Sequence, residues 1–277
     1  HDYLRKAVED RYFHDPIKKC LDPEKKRRAH LRLADYFDKK ELDARKADEL
    51  PWLLYQAGTR DRLRACLLDI DQFLLIQKRD QDELRGYWVW LREERVMGKG
   101  YLESFESWSG KPGIQDLRIS YVANQLAFFL LQAALHAEAE PLMRRALRID
   151  EQSFGEHHPN VAIDLNNLAQ LLKDTNRLAE AEPLMRRHLE IFMKFTSETG
   201  HPHPHLRAAV DNYGGLLQAM GRSAEDIRGE LEKLYKRFGV DLGGSGSEDQ
   251  QQIYRSDLAI REKELGKEHL DTITARY

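Results

Sequence analysis

The chain has 277 residues, of which 33% are charged and 41% hydrophobic, and a formal net charge of −3. That length allows one or two domains, and the near balance of charge gives no overall attraction to nucleic acid or an acidic membrane surface. Two lone cysteines, Cys20 and Cys66, make neither a disulfide framework nor a metal-ligand spacing and point to a reducing, cytoplasmic compartment; no apolar run approaches the roughly 18 residues of a membrane span.

The opening stretch, His1-Asp2-Tyr3-Leu4-Arg5-Lys6, has no signal-peptide character and reads as the interior of a domain, as in a fragment of a longer protein. Helical periodicity dominates the chain beyond it, and no stretch alternates as a strand does. Glu24-Lys25-Lys26-Arg27-Arg28 is basic, but so short a run beside a glutamate reads as a solvated face rather than a nucleic-acid contact. Leu33, Ala34 and Phe37 are spaced for one helix face, as are Leu50, Leu53, Leu54 and Ala57. Pro51 is expected in a first helical turn, and Gly58 ends that helix. Leu63, Cys66, Leu67, Ile70, Phe73 and Leu74 form one wide apolar stripe; Leu84, Tyr87, Trp88 and Leu91 form another, with Trp88 at a core position. Residues 1–112 are therefore predicted as an irregular helical arm, closed by the break Gly110-Lys111-Pro112-Gly113.

Beyond that break a nine-residue string occurs twice, 42 positions apart: Ala137-Glu138-Ala139-Glu140-Pro141-Leu142-Met143-Arg144-Arg145 returns as Ala179-Glu180-Ala181-Glu182-Pro183-Leu184-Met185-Arg186-Arg187. A fixed period of this length is the signature of stacked repeats, in which each unit buries its apolar face only against its neighbours. Asn124, Leu126, Ala127 and Leu130 correspond to Asn166, Leu168, Ala169 and Leu172, and Asp211-Asn212-Tyr213-Gly214 with Leu217 follows as a third copy after three extra loop residues. Leu165, Leu168, Ala169 and Leu172 are predicted as the buried face of a first helix. Ala139, Met143, Ala146 and Leu147 are predicted as that of a second helix completed at Ile149. Small residues at Ala127, Ala169 and Ala139 allow close helix approach. The repeats are assigned to 113–223, and Ala224 to about Phe238 to a longer, charged capping helix within 224–242.

The tail, 243–277, opens with the linker-like Gly243-Gly244-Ser245-Gly246-Ser247. Tyr254-Arg255, Leu258, Ile260, Leu265-Gly266 and His269 then match Met143-Arg144, Leu147, Ile149, Phe154-Gly155 and His158 at an offset of 111, which is not a multiple of 42. An engineered join, or a piece from elsewhere in a longer array, accounts for this out-of-register half-repeat. Unable to bury its face alone, it is expected to dock on a repeat edge of the same or a neighbouring chain, giving a route to self-association.

Leu165-Asn166-Asn167-Leu168-Ala169, the Ala-Glu-Ala-Glu-Pro-Leu strings and Gly155-Glu156-His157-His158-Pro159 resemble the long tetratricopeptide repeats of kinesin light chains. His1 to Phe13 resembles the end of a winged-helix segment in STAND/NACHT-type signalling NTPases such as the nephrocystin family. Glu49-Leu50-Pro51-Trp52-Leu53-Leu54 and Leu68-Asp69-Ile70-Asp71-Gln72-Phe73-Leu74 resemble the helical arm that follows it there. These resemblances imply an all-α superhelix that binds protein or peptide in its concave groove, as the ligand-sensing half of such an NTPase or as a passive adaptor resembling kinesin light chain. No phosphate-binding loop accompanies them: Gly110-Lys111 lacks the upstream glycine and runs into Pro112.

In repeats of this type the residue before the Leu-Ala pair points into the groove, a position held here by Gln125, Asn167 and Asn212, with Asn124 and Asn166 beside them. Amides there either hold a peptide backbone or tie repeat to repeat. Gln170 and Lys173 lie further along the same groove, where the lysine suits an acidic ligand or solvent. His201-Pro202-His203-Pro204-His205 has the composition of a zinc site, yet His203-Pro204 falls where His158-Pro159 falls in the preceding unit and is read as loop pattern. Arg144-Arg145 and Arg186-Arg187 are read as a solvated convex stripe. No nucleophile, acid–base pair, metal or cofactor site is assigned, and neither nucleic acid nor membrane is expected as a partner.

Overall fold

The computed structural model describes residues 14–15 and 20–240. The winged-helix-like segment and the 243–277 tail lie outside the described residues, and so do the expectations attached to them. The chain divides into two compact units, one up to Ile114 and one from Gln115.

The first unit contains a two-residue antiparallel ladder, β1 (His14–Asp15) with β2 (Cys20–Leu21), where no strand is predicted. Six helices follow: α1 (Pro23–Asp38), α2 (Ala44–Gln56), α3 (Arg60–Leu68), α4 (Ile70–Arg79), α5 (Gln81–Leu91) and α6 (Glu94–Ser109). Aspartates start most of them, because a short carboxylate accepts the amide protons that a first turn leaves unbonded. Asp22 accepts from the Glu24 and Lys25 amides at 3.1 Å, Asp43 from Lys46 at 2.7 Å, Asp69 from Gln72 at 2.8 Å and Asp80 from Asp82 and Glu83 at 3.0 Å.

Two sequence expectations are corrected by these caps. Pro51 lies well inside α2, since the Asp43 cap starts the helix at Ala44; burial of Ala47, Leu50, Leu53 and Leu54 around the proline offsets the amide bond it cannot make. The stripe from Leu63 to Leu74 spans two helices, because Asp69, in extended conformation, ends α3 and caps α4. The arm closes around Tyr101, whose hydroxyl donates to the Leu67 carbonyl at 3.0 Å and accepts from Trp88 Nε1 at 3.2 Å. Both polar atoms are thus satisfied inside a core of Leu67, Phe73, Trp88 and Phe105. In the basic run on α1 the arginines are exposed and paired within the run, Arg27 and Arg28 on Glu24 at 3.1 and 3.2 Å.

Among the described residues the second unit is a helical-repeat array of three helix pairs: α7 (Asp116–Gln132) with α8 (His136–Phe154), α9 (Pro159–Asp174) with α10 (Leu178–Thr199), and α11 (Leu206–Ala219) with α12 (Ala224–Phe238). α9 also packs on α8, α10 on α11, and α12 on both α10 and α11. The faces predicted from periodicity are buried: Leu126, Ala127, Leu130, Leu165, Leu168, Ala169 and Leu172 are each 0% exposed. The turn inside each pair repeats as well. Ala134, Asn176 and Gly221 hold the same left-handed position, at φ 58°, 59° and 83°. The amide after each returns to a carbonyl five residues back, Leu135 to Leu130, Arg177 to Leu172 and Arg222 to Leu217.

α8 runs past Ile149 to Phe154 and buries Asp150, so the second helix is longer than its apolar pattern indicates. α12, predicted as a longer helix, has 15 residues against 19 in α8 and 22 in α10; a Ser223–Asp226 capping box starts it and Leu234 is its buried anchor. The arginine stripe, with Arg177 beside it, takes part in ion pairs both within helices and between neighbouring units. Arg177 meets Glu140 at 2.6 Å, Arg187 meets Glu151 at 2.5 Å, and Arg186 reaches both Glu190 and Glu230 at 3.4 Å.

Candidate peptide-binding face

On α9 the residues turned away from the core recur every three or four positions. Ile163, Asn166 and Lys173 are half-buried, and Gln170 is exposed. α9 lies between α7 and α11, tied to each by a side-chain amide. Asn124 of α7 donates Nδ2–H to Asp164 Oδ1 at 2.9 Å, and Asn212 of α11 donates Nδ2–H to Asn166 Oδ1 at 2.9 Å. The predicted residues thus separate into two sets. Asn166, Gln170, Lys173 and Asn212 share an accessible face, with Asn124 and Gln125 half-buried on α7. Asn167 does not join them. It is 7% exposed, inside the array, whereas Asn212 at the same repeat position stands on the last described first-helix and is exposed. Gln170 is turned along its own helix, donating Nε2–H to Asp174 Oδ1 at 2.8 Å. Of the two roles open to these amides, tying repeat to repeat is the one whose bonds are present between Asn124 and α9 and between Asn212 and α9.

The loop histidines serve the helix starts. His158 caps α9, its Nδ1 accepting the Asn160 amide at 3.1 Å; His203 repeats the arrangement toward the His205 amide at 3.2 Å and stacks on Phe192 with ring centroids 4.1 Å apart. Among the described residues no three His, Cys, Asp or Glu side chains converge as a metal site. No described helix is long and apolar enough to cross a membrane.

Three polar residues escape a reading by apolar periodicity. His188 is buried at the position where the preceding unit has Ala146, and its Nδ1 lies 2.7 Å from the Ala162 carbonyl, which requires the proton on Nδ1. Burial holds its pKa down, to about 4. Asp150 and Asp164 are 6% and 4% exposed, and the same positions one unit on are Phe192 and Ala209, both 0% exposed. A charged residue where the neighbouring unit is apolar is a signal that residue-by-residue comparison of the two copies contains.

Residues 118–194 match the tetratricopeptide repeat family. The chain is 33% identical to nephrocystin-3 of Mus musculus over 128 residues, and 32% identical to that of Homo sapiens over 133 residues. Those alignments take in 45% and 46% of this chain, which spans about 10% of the length of either relative. Among solved structures, similarity extends to BtubC (BKLC) from P. vanneervenii, with 19% identity, TM-score 0.40, and coverage of 81% of this chain and 94% of that one. A putative kinesin light chain of Podosopora anserina with nearly identical TPR-like repeats has 15% identity, TM-score 0.43, and coverage of 81% and 99%. Tetratricopeptide repeats are protein-interaction modules, and the matched residues fall on α7 to α10.

Proposed function

We propose that the accessible face of the first helices α7, α9 and α11 is the concave groove for an extended or helical polypeptide, and that the array is the ligand-sensing region of a STAND-type signalling NTPase. The observation that carries the groove reading is the accessible row Asn166, Gln170, Lys173 and Asn212 across two stacked first helices. Amides offer donors and acceptors to a peptide backbone without demanding a particular side chain, and Lys173 favours an acidic residue near the middle. The partial likeness to nephrocystin-3 supports the sensor assignment. In that role, occupation of the groove shifts an upstream NTPase between states by the difference in the ligand's affinity for them.

Selection of a displayed random-peptide library on the whole chain tests the groove. Selected peptides should lose at least tenfold in affinity for a Gln170→Arg/Asn212→Arg variant whose helicity is intact. Equal affinity for that variant removes the groove reading. In a longer parent chain that carries an NTPase region, a selected peptide should change nucleotide hydrolysis; binding without such a change favours a passive adaptor.

A further inference from the structure

We propose that the exposed face of α5 around Val89 and Trp90 is a docking surface for an acidic amphipathic helix of a partner protein, with Arg60, Arg85 and Arg92 meeting its carboxylates. The face lies wholly within the first unit, and the inference does not depend on the groove reading.

Along α5 the side chains of Leu84, Tyr87, Trp88 and Leu91 are buried, which turns Arg85, Gly86 and Val89 outward. Val89 is 65% exposed, the most exposed large apolar side chain among the described residues. A lone surface valine is ordinary; its neighbours are not. Trp90, half-buried, packs edge-on against half-buried Tyr55 of α2 with ring centroids 5.1 Å apart, and Tyr55 reaches Tyr87 at 5.8 Å. The Arg60 guanidinium lies 4.8 Å over the Trp90 ring. It donates to the Trp90 carbonyl at 3.2 Å and to the Leu91 carbonyl, so one side chain both closes the end of α5 and holds the indole. Gly86 stands one turn before Val89 and Trp90, and a Cβ there would meet nothing within 4 Å, which leaves an open notch beside them. Tryptophan, tyrosine and arginine are the residues on which interface binding energy concentrates. Fixed in place beforehand, they lose little freedom when a partner arrives.

Charge decides the partner. Arg85 lies four residues before Val89 and Arg92 three after it, both exposed, while Arg60 borders Trp90. The nearby carboxylates are committed elsewhere. Asp61 and Glu93 both pair with Arg64, and Glu83 pairs with Arg79 and accepts from the Tyr87 hydroxyl. Asp82 meets Arg85 at 3.8 Å, an exposed pair that solvent screens. No carboxylate among the described residues pairs with Arg60 or Arg92. The apolar strip is thus bordered by arginines open to incoming carboxylates, which a guanidinium can hold by two parallel bonds. A helix suits a face that is itself helical. Apolar residues three and four apart pack along α5, and acidic residues beside that row reach the arginines.

The test uses the whole chain and two displayed libraries of helical peptides. Each has one face randomised among apolar residues, flanked by glutamates in one library and lysines in the other. The glutamate library should yield binders, with affinity falling about tenfold or more for Val89→Asp and about fivefold for Arg85→Glu/Arg92→Glu. Added salt should weaken them. Val89→Asp should melt as wild type does, since its side chain is mostly in water. Affinity for Gln170→Arg/Asn212→Arg should be unchanged; loss there places the peptides in the groove and overturns the proposal. No binders from the glutamate library, equal recovery from the lysine library, or indifference to Val89→Asp also overturns it. Fluorine NMR of the fluorotryptophan-labelled wild type gives a second reading. A selected peptide should move the Trp90 resonance, assigned with Trp90→Phe, and leave those of buried Trp88 and Trp108 in place; an unmoved Trp90 resonance overturns the proposal. Self-association in light scattering that Val89→Asp abolishes would assign the face to a second copy of this chain and remove the acidic partner.

Discussion

Asn212 of α11 donates its Nδ2 proton to Asn166 Oδ1 of α9 across 2.9 Å, so the third repeat is bonded to the second by side chains that also border the accessible face. The corresponding bond one unit earlier, Asn124 to Asp164, ends on a buried carboxyl. Two bonds of equal length thus differ in what their loss leaves behind.

Removing them should separate those consequences. Asn212→Ala leaves water to replace the lost partner and should cost about 0.5–1 kcal/mol in urea unfolding. Asn124→Ala strips a donor from a sealed acid and should cost about 1–3 kcal/mol. Equal losses in the two variants would mean that solvent reaches Asp164.

His188 should weaken the protein in acid. Its folded pKa, about 4, lies below the ordinary 6.5, so the neutral ring favours folding. That contribution is complete above pH 6.5 and is lost progressively as pH falls through 4, on the order of 3 kcal/mol in all. His205, also held down by burial, acts in the same direction. His188→Ala should start less stable at pH 7.5, through the cavity it leaves, and lose less between pH 6.5 and 4 in urea midpoints.

The left-handed turn residues predict opposite signs for two exchanges at one repeat position. Ala134, at φ 58°, bears a side chain where glycine is favoured, so Ala134→Gly should stabilise by about 0.5 kcal/mol. Gly221→Ala, at φ 83°, should destabilise by about 1 kcal/mol. Thermal melts of the two single variants compare them directly.

Within the array core, Leu168→Ala should cost about 2–5 kcal/mol, since the site is fully buried and only partly able to collapse. Ala169→Leu should cost about 1–3 kcal/mol by forcing α9 from its neighbour. A near-neutral Ala169→Leu would show that the helix spacing there is not set by the small residue.

The repeat faces were legible because period and apolarity agree: Leu165, Leu168, Ala169 and Leu172 are all buried, as their spacing requires. The arm was harder, because local caps overrule periodicity there. Asp69 divides one apolar stripe into two helices, and Asp43 starts α2 seven residues before the proline expected to mark its first turn. On the candidate face the sequence named the right helices but not the depth of each amide. Asn167 and Asn212 occupy the same repeat position, and only the stacking of a further helix pair decides which is covered. Asp150, Asp164 and His188 went unread because apolar periodicity passes over polar side chains, however deeply they are buried.

The turns at Ala134, Asn176 and Gly221 join each helix to its immediate partner within a few residues, and this bears on the order in which the protein acquires its shape. Contacts so near in sequence close little loop entropy and form quickly. During synthesis, α7 and α8 can pair before α9 leaves the ribosome, and each later pair then condenses on a surface already made. Growth from the amino-terminal side spares the nascent array a long wait with its apolar faces open, the interval in which chains of non-local topology aggregate.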